Sequence, residues 1–403
     1  MKGHSHANVL ENKIVLYETQ INLKQVIADQ NLHAMDESLM VCNLNELRLK
    51  YQKWIQLLPR VKPYYAVKCN DDPHVLKTLA KLGTNFDCAS KKEISKVLNL
   101  GIKADRIIFA HPCKMISHVE YAKSKGVTTS TVDSECEIFK LHRFYPQSNL
   151  VIRIRCDGSD VVLSFGEKYG CDSEKLAYNL MTLARILKMN VIGISFHVGT
   201  GCNDLQAYKR AIAKAQRLFD VGFKLGFNMK MLDIGGGFPG NDDKKFKNIC
   251  EIINTSLKRY FPQNNVNIIA EPGRYFVTSA YTLLCKIHSK KEARLPNGKL
   301  LLKQYYLNDG VYGSFNNVLT EHFKPVVQHF VNERHAEVPK FNSLLWGPTC
   351  DALDKIAENV HLPDLKCGEF LAFPNMGAYS LPLGCRFNGF NLPKTIYYDK
   401  ATQ

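Results

Sequence analysis

Lys68 closes the apolar segment Tyr64-Tyr65-Ala66-Val67. A lysine there is either a surface group that snorkels to water or an amine free to form a Schiff base with a carbonyl. Leu232-Asp233-Ile234 runs into Gly235-Gly236-Gly237. Such a run is either a plain turn or a loop whose backbone N–H groups close on a phosphate. Glu271 is followed by Gly273-Arg274, and a guanidinium there could clamp the same phosphate through two hydrogen bonds. A Schiff-base lysine together with a phosphate cradle is what pyridoxal 5'-phosphate (PLP) requires. Glu271 then gains a role, because a carboxylate at the pyridine nitrogen keeps it protonated and makes the ring an electron sink. His197, otherwise an ordinary core histidine, could stack on the ring face. Cys350-Asp351, in the loop-like stretch Trp346-Gly347-Pro348-Thr349, offers a proton donor beside an anchor for a cationic substrate.

These groups have to be brought together by the fold. Eight short apolar runs recur between helical patterns: 64–67, 85–87, 106–109, 128–132, 150–154, 191–197, 231–234 and 267–271. Their spacing of roughly 29 residues is the rhythm of a strand plus a crossover helix. Eight such units predict an α/β fold, a (β/α)8 TIM barrel, whose catalytic groups lie at the C-terminal ends of the strands. Lys68, Asp87, Arg153, His197 with Gly199-Thr200-Gly201, the glycine run and Glu271 all fall there. The phosphate site of such barrels follows strands seven and eight, where the glycine run and Arg274 stand. Leu205, Tyr208, Ile212, Ala215 and Phe219 form one helical stripe, with Asn203-Asp204 offering the N-cap. Further strand-like runs at 14–17, 281–286, 303–307, 369–373 and 395–398, with a Pro296-Asn297-Gly298 turn, predict a C-terminal all-β domain that includes the N-terminal strand. The expected division is a PLP-binding barrel over 35–275 and a β-rich domain from 1–34 and 276–403.

Composition narrows the class. The chain has 403 residues, 45% hydrophobic and 23% charged, which excludes disordered and low-complexity proteins. The net charge of +15 comes from dispersed lysines and arginines, so no nucleic-acid partner is expected. Thirteen cysteines without C-x-x-C or H-E-x-x-H spacing predict no metal site and a reducing compartment. The N-terminus lacks an apolar signal region and no 18-residue apolar run occurs, so a cytoplasmic protein with no membrane partner is expected.

The motifs AVKCNDDP, FDCASK, SFHVGTGC, LDIGGGFPG, AEPGRY, NDGVYGSFN, WGPTCDALD and NMGAY resemble those of the ornithine decarboxylase family, PLP-dependent decarboxylases of the alanine-racemase fold, over nearly the whole chain. The resemblance implies decarboxylation of L-ornithine to putrescine by an obligate homodimer with two shared active sites. By motif, it implies that Lys68 holds PLP, that Asp87, Arg153 and His197 surround it, and that Glu271 faces the pyridine nitrogen. It assigns the phosphate to Thr200, Gly236, Gly237, Gly273, Arg274 and Tyr379, and places Gly235 among the residues that bind the cofactor. Cys350 and Asp351 would arrive from the other subunit, Cys350 returning a proton to carbon and Asp351 holding the distal amine. Tyr312 and Phe387 match positions near the interface, and Lys168 and Asp354 match a cross-subunit ion pair. The family's antizyme-binding stretch falls at 114–143. Lys114, Lys123, Lys125, Lys140 and Arg143 there would form a basic face suited to an acidic partner, or simply a solvated one.

Four positions, in three places, depart from the family pattern. Thr200 stands where Ser is usual and keeps the hydroxyl. Thr320-Glu321 replaces Tyr-Asp, and Arg386 replaces a small residue before Phe387. The last two lie around the substrate tail and bear on substrate identity rather than on the cofactor. No long C-terminal degradation tail is expected. Two other functions compete. A non-enzymatic regulator resembling antizyme inhibitor would have lost cofactor groups, yet Lys68, Glu271, Arg274, Cys350 and Asp351 are present. A racemase of the same barrel fold would set Arg, not Glu271, at the pyridine nitrogen. A decarboxylase of a different amino acid stays open.

Overall fold

Eight apolar runs separated by capped helices cannot pair as hairpins, so they pair in parallel and close. The computed structural model describes residues 14–156, 166–330 and 338–401. In it, the unit Arg48–Phe276 contains the parallel strands Val61–Ala66, Asn85–Cys88, Ile107–Phe109, Thr129–Val132, Asn149–Ile154, Asn190–Phe196, Met231–Asp233 and Asn267–Ala270. The last pairs with the first, Ile268 opposite Val61, and completes a closed barrel. This is the (β/α)8 barrel expected from the sequence. Its interior is filled by Tyr64, Ile108, Val151, Ile192 and Ile269 from five strands, so it is a packed core and not a pore.

The crossover helices are set by their caps. Asp72 accepts the N–H groups of His74 at 2.8 Å and Val75 at 3.3 Å, Pro73 takes the first turn, and Gly83 ends the helix at φ 100°. Ser90, Ser134 and Ser173 cap three others. The helix Gln206–Lys224 differs from expectation. Its cap position is Leu205, with no side-chain cap, because the Asp204 carboxylate pairs with Arg210 instead. Trp54 is fully buried; its Nε1 donates to the Val61 carbonyl at 2.9 Å and its ring lies 4.8 Å from that of Phe238.

The expected basic face is also smaller than the sequence implies. Lys114 is buried, with Nζ 3.0 Å from Glu137 and donating to the carbonyls of His111 and Thr131 at 2.9 and 2.7 Å. Lys140 reaches the same carboxylate at 2.7 Å. Glu137 is itself buried and needs both cations, which leaves Lys123, Lys125 and Arg143 exposed.

The second unit, Met1–Leu47 with Val277–Gln403, is a mixed sheet of nine strands among the described residues. The N-terminal strand Ile14–Tyr17 lies parallel to Lys394–Lys400, which pairs with Leu39–Asn43. The long strand Tyr281–Arg294 pairs in its first half with Leu39–Asn43 and Phe370–Pro374, and in its second with Leu300–Leu307 across the Pro296-Asn297-Gly298 turn. Beyond the expected strands the sheet contains Leu39–Asn43, Phe341–Trp346, Lys355–Leu362 and the short Gln328–His329. Two short helices, Leu23–Asp29 and Asn316–Glu321, belong to this unit. Among the described residues no helix is long and apolar enough to cross a membrane.

Candidate active site

Lys68 sits two residues beyond its strand, in the one-turn 3-10 helix Val67–Cys69. The turn is tied to the last barrel strand's exit, since the Ala66 N–H donates to the Pro272 carbonyl at 3.2 Å. Gly273 permits this approach, because a Cβ there would stand 2.8 Å from the Cys69 Cβ. The Lys68 Nζ lies 2.9 Å from Asp87 Oδ2; the lysine side chain is 44% exposed and the aspartate 1%. Asp87 Oδ1 is buried without a hydrogen-bond partner among the described residues.

The glycine run turns sharply beside these groups. Gly235 and Gly237 have φ of 64° and 99°, a region that penalises any Cβ. At Gly236 a Cβ would stand 2.8 Å from His197 Nε2 and 2.9 Å from the Glu271 carbonyl. His197 follows the strand Asn190–Phe196, and its Nδ1 accepts the Gly199 N–H at 3.0 Å. Burial first, then the charges of Arg153, Lys68 and Arg274, hold its pKa well below the usual value. It is therefore a neutral imidazole with its proton on Nε2. The Arg153 guanidinium stands 5.3 Å from the ring of Tyr169.

Two acids that sequence reading assigned no role join this site. Asp233, the last residue of its strand, is buried, accepts the Gly235 N–H at 2.9 Å, and stands next to Glu271 at the exit of the neighbouring strand. Burial raises the pKa of both, with mutual repulsion and the charge of Asp87 adding to the effect at Glu271. Glu93 accepts the Ala89 N–H at 2.6 Å, and burial pushes its pKa up to about 7. The signal for Asp233 is an acid inside an otherwise apolar run. Glu93 is masked by its place in a Ser90-x-x-Glu93 capping box.

In the second unit, Tyr312 gathers a separate constellation. Its hydroxyl donates to Asp351, its ring lies tilted against that of Phe387 with centroids 4.7 Å apart, and its carbonyl accepts the Cys385 N–H at 2.8 Å. The hydrogen bond to Asp351 pushes the Tyr312 pKa up to about 12. Asp351 also accepts the Leu353 N–H at 3.0 Å, and these two bonds, the backbone one first, hold its pKa below the usual range. Cys350 is exposed, and its N–H donates to Asn388 Oδ1 at 3.1 Å. Asp354 is buried and accepts from Val311 N, Thr349 N and Thr349 Oγ1 at 2.8, 2.9 and 2.7 Å. Arg386 is exposed beside Phe387. Glu321 ends the helix Asn316–Glu321, and Tyr379 has φ 52° in the loop after Phe370–Pro374.

Residues 44–278 match the family described as pyridoxal-dependent decarboxylase, pyridoxal binding domain. The chain belongs to the pyridoxal-dependent decarboxylases. It is 47% identical to ornithine decarboxylase 2 of Drosophila melanogaster over 386 residues, 96% of this chain and 98% of that one. It is 43% identical to antizyme inhibitor 2 of Xenopus laevis, over 93% of this chain and 84% of that one. The crystal structure of the Paramecium bursaria Chlorella virus arginine decarboxylase superposes with a TM-score of 0.88 at 36% identity, covering 93% of this chain and 99% of that one. This decarboxylase is thus a PLP-dependent enzyme acting on an amino acid. The residues fit that cofactor: a reachable amine at Lys68, an orphaned buried oxygen on Asp87, and glycine turns where a Cβ would intrude. Among the described residues no cluster of three His, Cys, Asp or Glu side chains could hold a metal ion.

Proposed function

We propose that this decarboxylase converts L-ornithine to putrescine and carbon dioxide, in the cytoplasm, as a homodimer in which Cys350 and Asp351 serve the partner's barrel. The observation that carries the reading is Asp351, a carboxylate kept ionised and oriented by Tyr312 and Leu353 directly beside the Cys350 thiol. A fixed anion next to a proton donor suits a substrate with a cationic tail whose reacting carbon must regain a proton. All thirteen cysteines are free thiols, which supports a reducing compartment.

In this reading, Lys68 holds the cofactor through its amine and Asp87 orients that amine. Gly235, Gly236, Gly237, Thr200, Gly273, Arg274 and Tyr379 bind the phosphate. Glu271 faces the ring nitrogen, neutral His197 lies against the ring, and Arg153 adds positive charge. Bound there, PLP supplies the sink for the electron pair left when carbon dioxide departs. Cys350 delivers the proton to that carbon, and Asp351 holds the distal ammonium with Glu321 as a second acid. Tyr312 and Phe387 shape the substrate tail's surroundings.

Putrescine formed from L-ornithine by the purified protein tests the assignment. Asp351→Ala should then raise KM for ornithine by at least about tenfold, because it removes a charged partner. Similarity to an antizyme inhibitor favours antizyme as a protein partner and a second reading, a catalytically weak regulator. A protein that binds antizyme but releases no putrescine would establish that alternative.

A further inference from the structure

Asp233 and Glu271 come from neighbouring barrel strands. Asp233 pairs in register with Ile269, and the Glu271 N–H donates to the Gly235 carbonyl at 2.7 Å. Side chains two residues apart on a strand share a face. Ile269 points into the barrel, so Glu271 follows it inward at the strand's exit and meets Asp233 there. Two buried carboxylates brought together in this way repel each other if both are ionised, and burial and that repulsion favour keeping a proton on the pair.

We propose that Asp233 is a positioning residue that shares one proton with Glu271, so that the pair, and not Glu271 alone, is the partner offered to the cofactor's ring nitrogen. Asp233 is fixed on its other side by the Gly235 N–H at 2.9 Å, which leaves it one free direction, toward Glu271. The charged and titratable groups around the pair are Asp87, Lys68, Arg153 and Tyr64. Asp87 opposes a second negative charge, while Lys68 and Arg153 favour it. Burial tips the balance toward keeping the proton. As the pair faces a cationic ring nitrogen, Asp233 can keep the proton and leave Glu271 ionised. This assignment rests on the reading of Glu271 as the ring nitrogen's partner.

The test uses the full chain stripped of PLP and compares wild type with Asp233→Asn and Glu271→Gln. The melting temperature of the apo-protein and the PLP dissociation constant are measured from pH 5.5 to 8.5. Titrations of the cofactor itself are common to all three proteins and cancel. A carboxyl pair whose folded pKa values are raised stabilises the protein below the unfolded carboxylate range and loses that contribution as pH rises through the raised values. Wild-type apo-protein should therefore lose melting temperature with rising pH, and Asp233→Asn should lose distinctly less. Its PLP dissociation constant should change with pH less steeply than wild type, where one linked proton gives up to about tenfold per pH unit. Identical profiles for wild type and Asp233→Asn would overturn the shared proton. Unchanged PLP binding and absorbance in Glu271→Gln would instead overturn the reading of Glu271, a distinguishable result. Should Asp233→Asn not fold, the infrared carbonyl band of protonated carboxyls decides: wild-type apo-protein at neutral pH should show intensity that Glu271→Gln lacks, beyond the contribution of Glu93 common to both. Identical carbonyl bands in the two proteins contradict the proposal.

Discussion

Lys68 Nζ and Asp87 Oδ2 face each other at 2.9 Å at the end of two neighbouring barrel strands, the amine reachable from solvent and the carboxylate buried. The acid's second oxygen is left without a partner, a costly arrangement for a buried group unless something else binds there. The pair is thus set to present an amine at one defined point, where the cofactor would attach.

Lys68→Ala should abolish the visible absorbance of the covalently held cofactor and lower turnover by about three orders of magnitude or more. PLP should still bind, more weakly, through the glycine turns and Arg274. An absorbance spectrum of the purified variant, before and after borohydride treatment, checks this.

Sharing of sites between subunits gives a second expectation. Lys68→Ala and Cys350→Ala homodimers should each be nearly inactive. After subunit exchange, half the dimers are mixed and each has one intact site, so activity should return to about a quarter of wild type. Absent recovery after proven exchange would place both groups in one chain's site.

Much of the barrel can be read from the sequence because each strand is an apolar run at a regular interval, and the chemical groups stand at the strand exits. Leu39–Asn43 is less legible: its Leu-Met-Val-Cys run directly precedes a helix. Phe341–Trp346 and Lys355–Leu362 are only half buried, and polar residues interrupt their alternation. Lys114 reads as a surface charge, since its burial depends on Glu137, 23 residues away. Asp233 could be noticed as an acid in an apolar run, but its approach to Glu271 depends on the register of two strands remote in sequence.

Glu93 predicts a pH effect on stability. Its folded pKa, about 7, is raised above the ordinary 4.5 by burial. Its contribution is full below about pH 4.5 and is lost as pH rises through 7. Glu93→Gln should therefore make the apo-protein's stability fall less between pH 5 and 8, by at most about 3 kcal/mol. Urea unfolding at the two pH values measures it.

Substrate grip is the fourth expectation. Arg386 is exposed between Cys385 and Phe387, both of which contact Tyr312, the residue that holds Asp351. A guanidinium there opposes a cationic tail, and Glu321 carries its carboxylate one carbon further out than an aspartate. Glu321→Asp with Arg386→Thr should lower KM for ornithine, roughly tenfold for each 1.4 kcal/mol recovered, with kcat little changed.

Carbon dioxide release from L-ornithine, L-lysine, L-arginine, L-2,4-diaminobutyrate and L-leucine with purified, PLP-loaded protein decides the substrate. Release from L-ornithine is expected, with kcat/KM at least about tenfold above every other substrate. A higher kcat/KM for any other amino acid, or no release from any of them by protein that has bound PLP, would contradict the ornithine assignment.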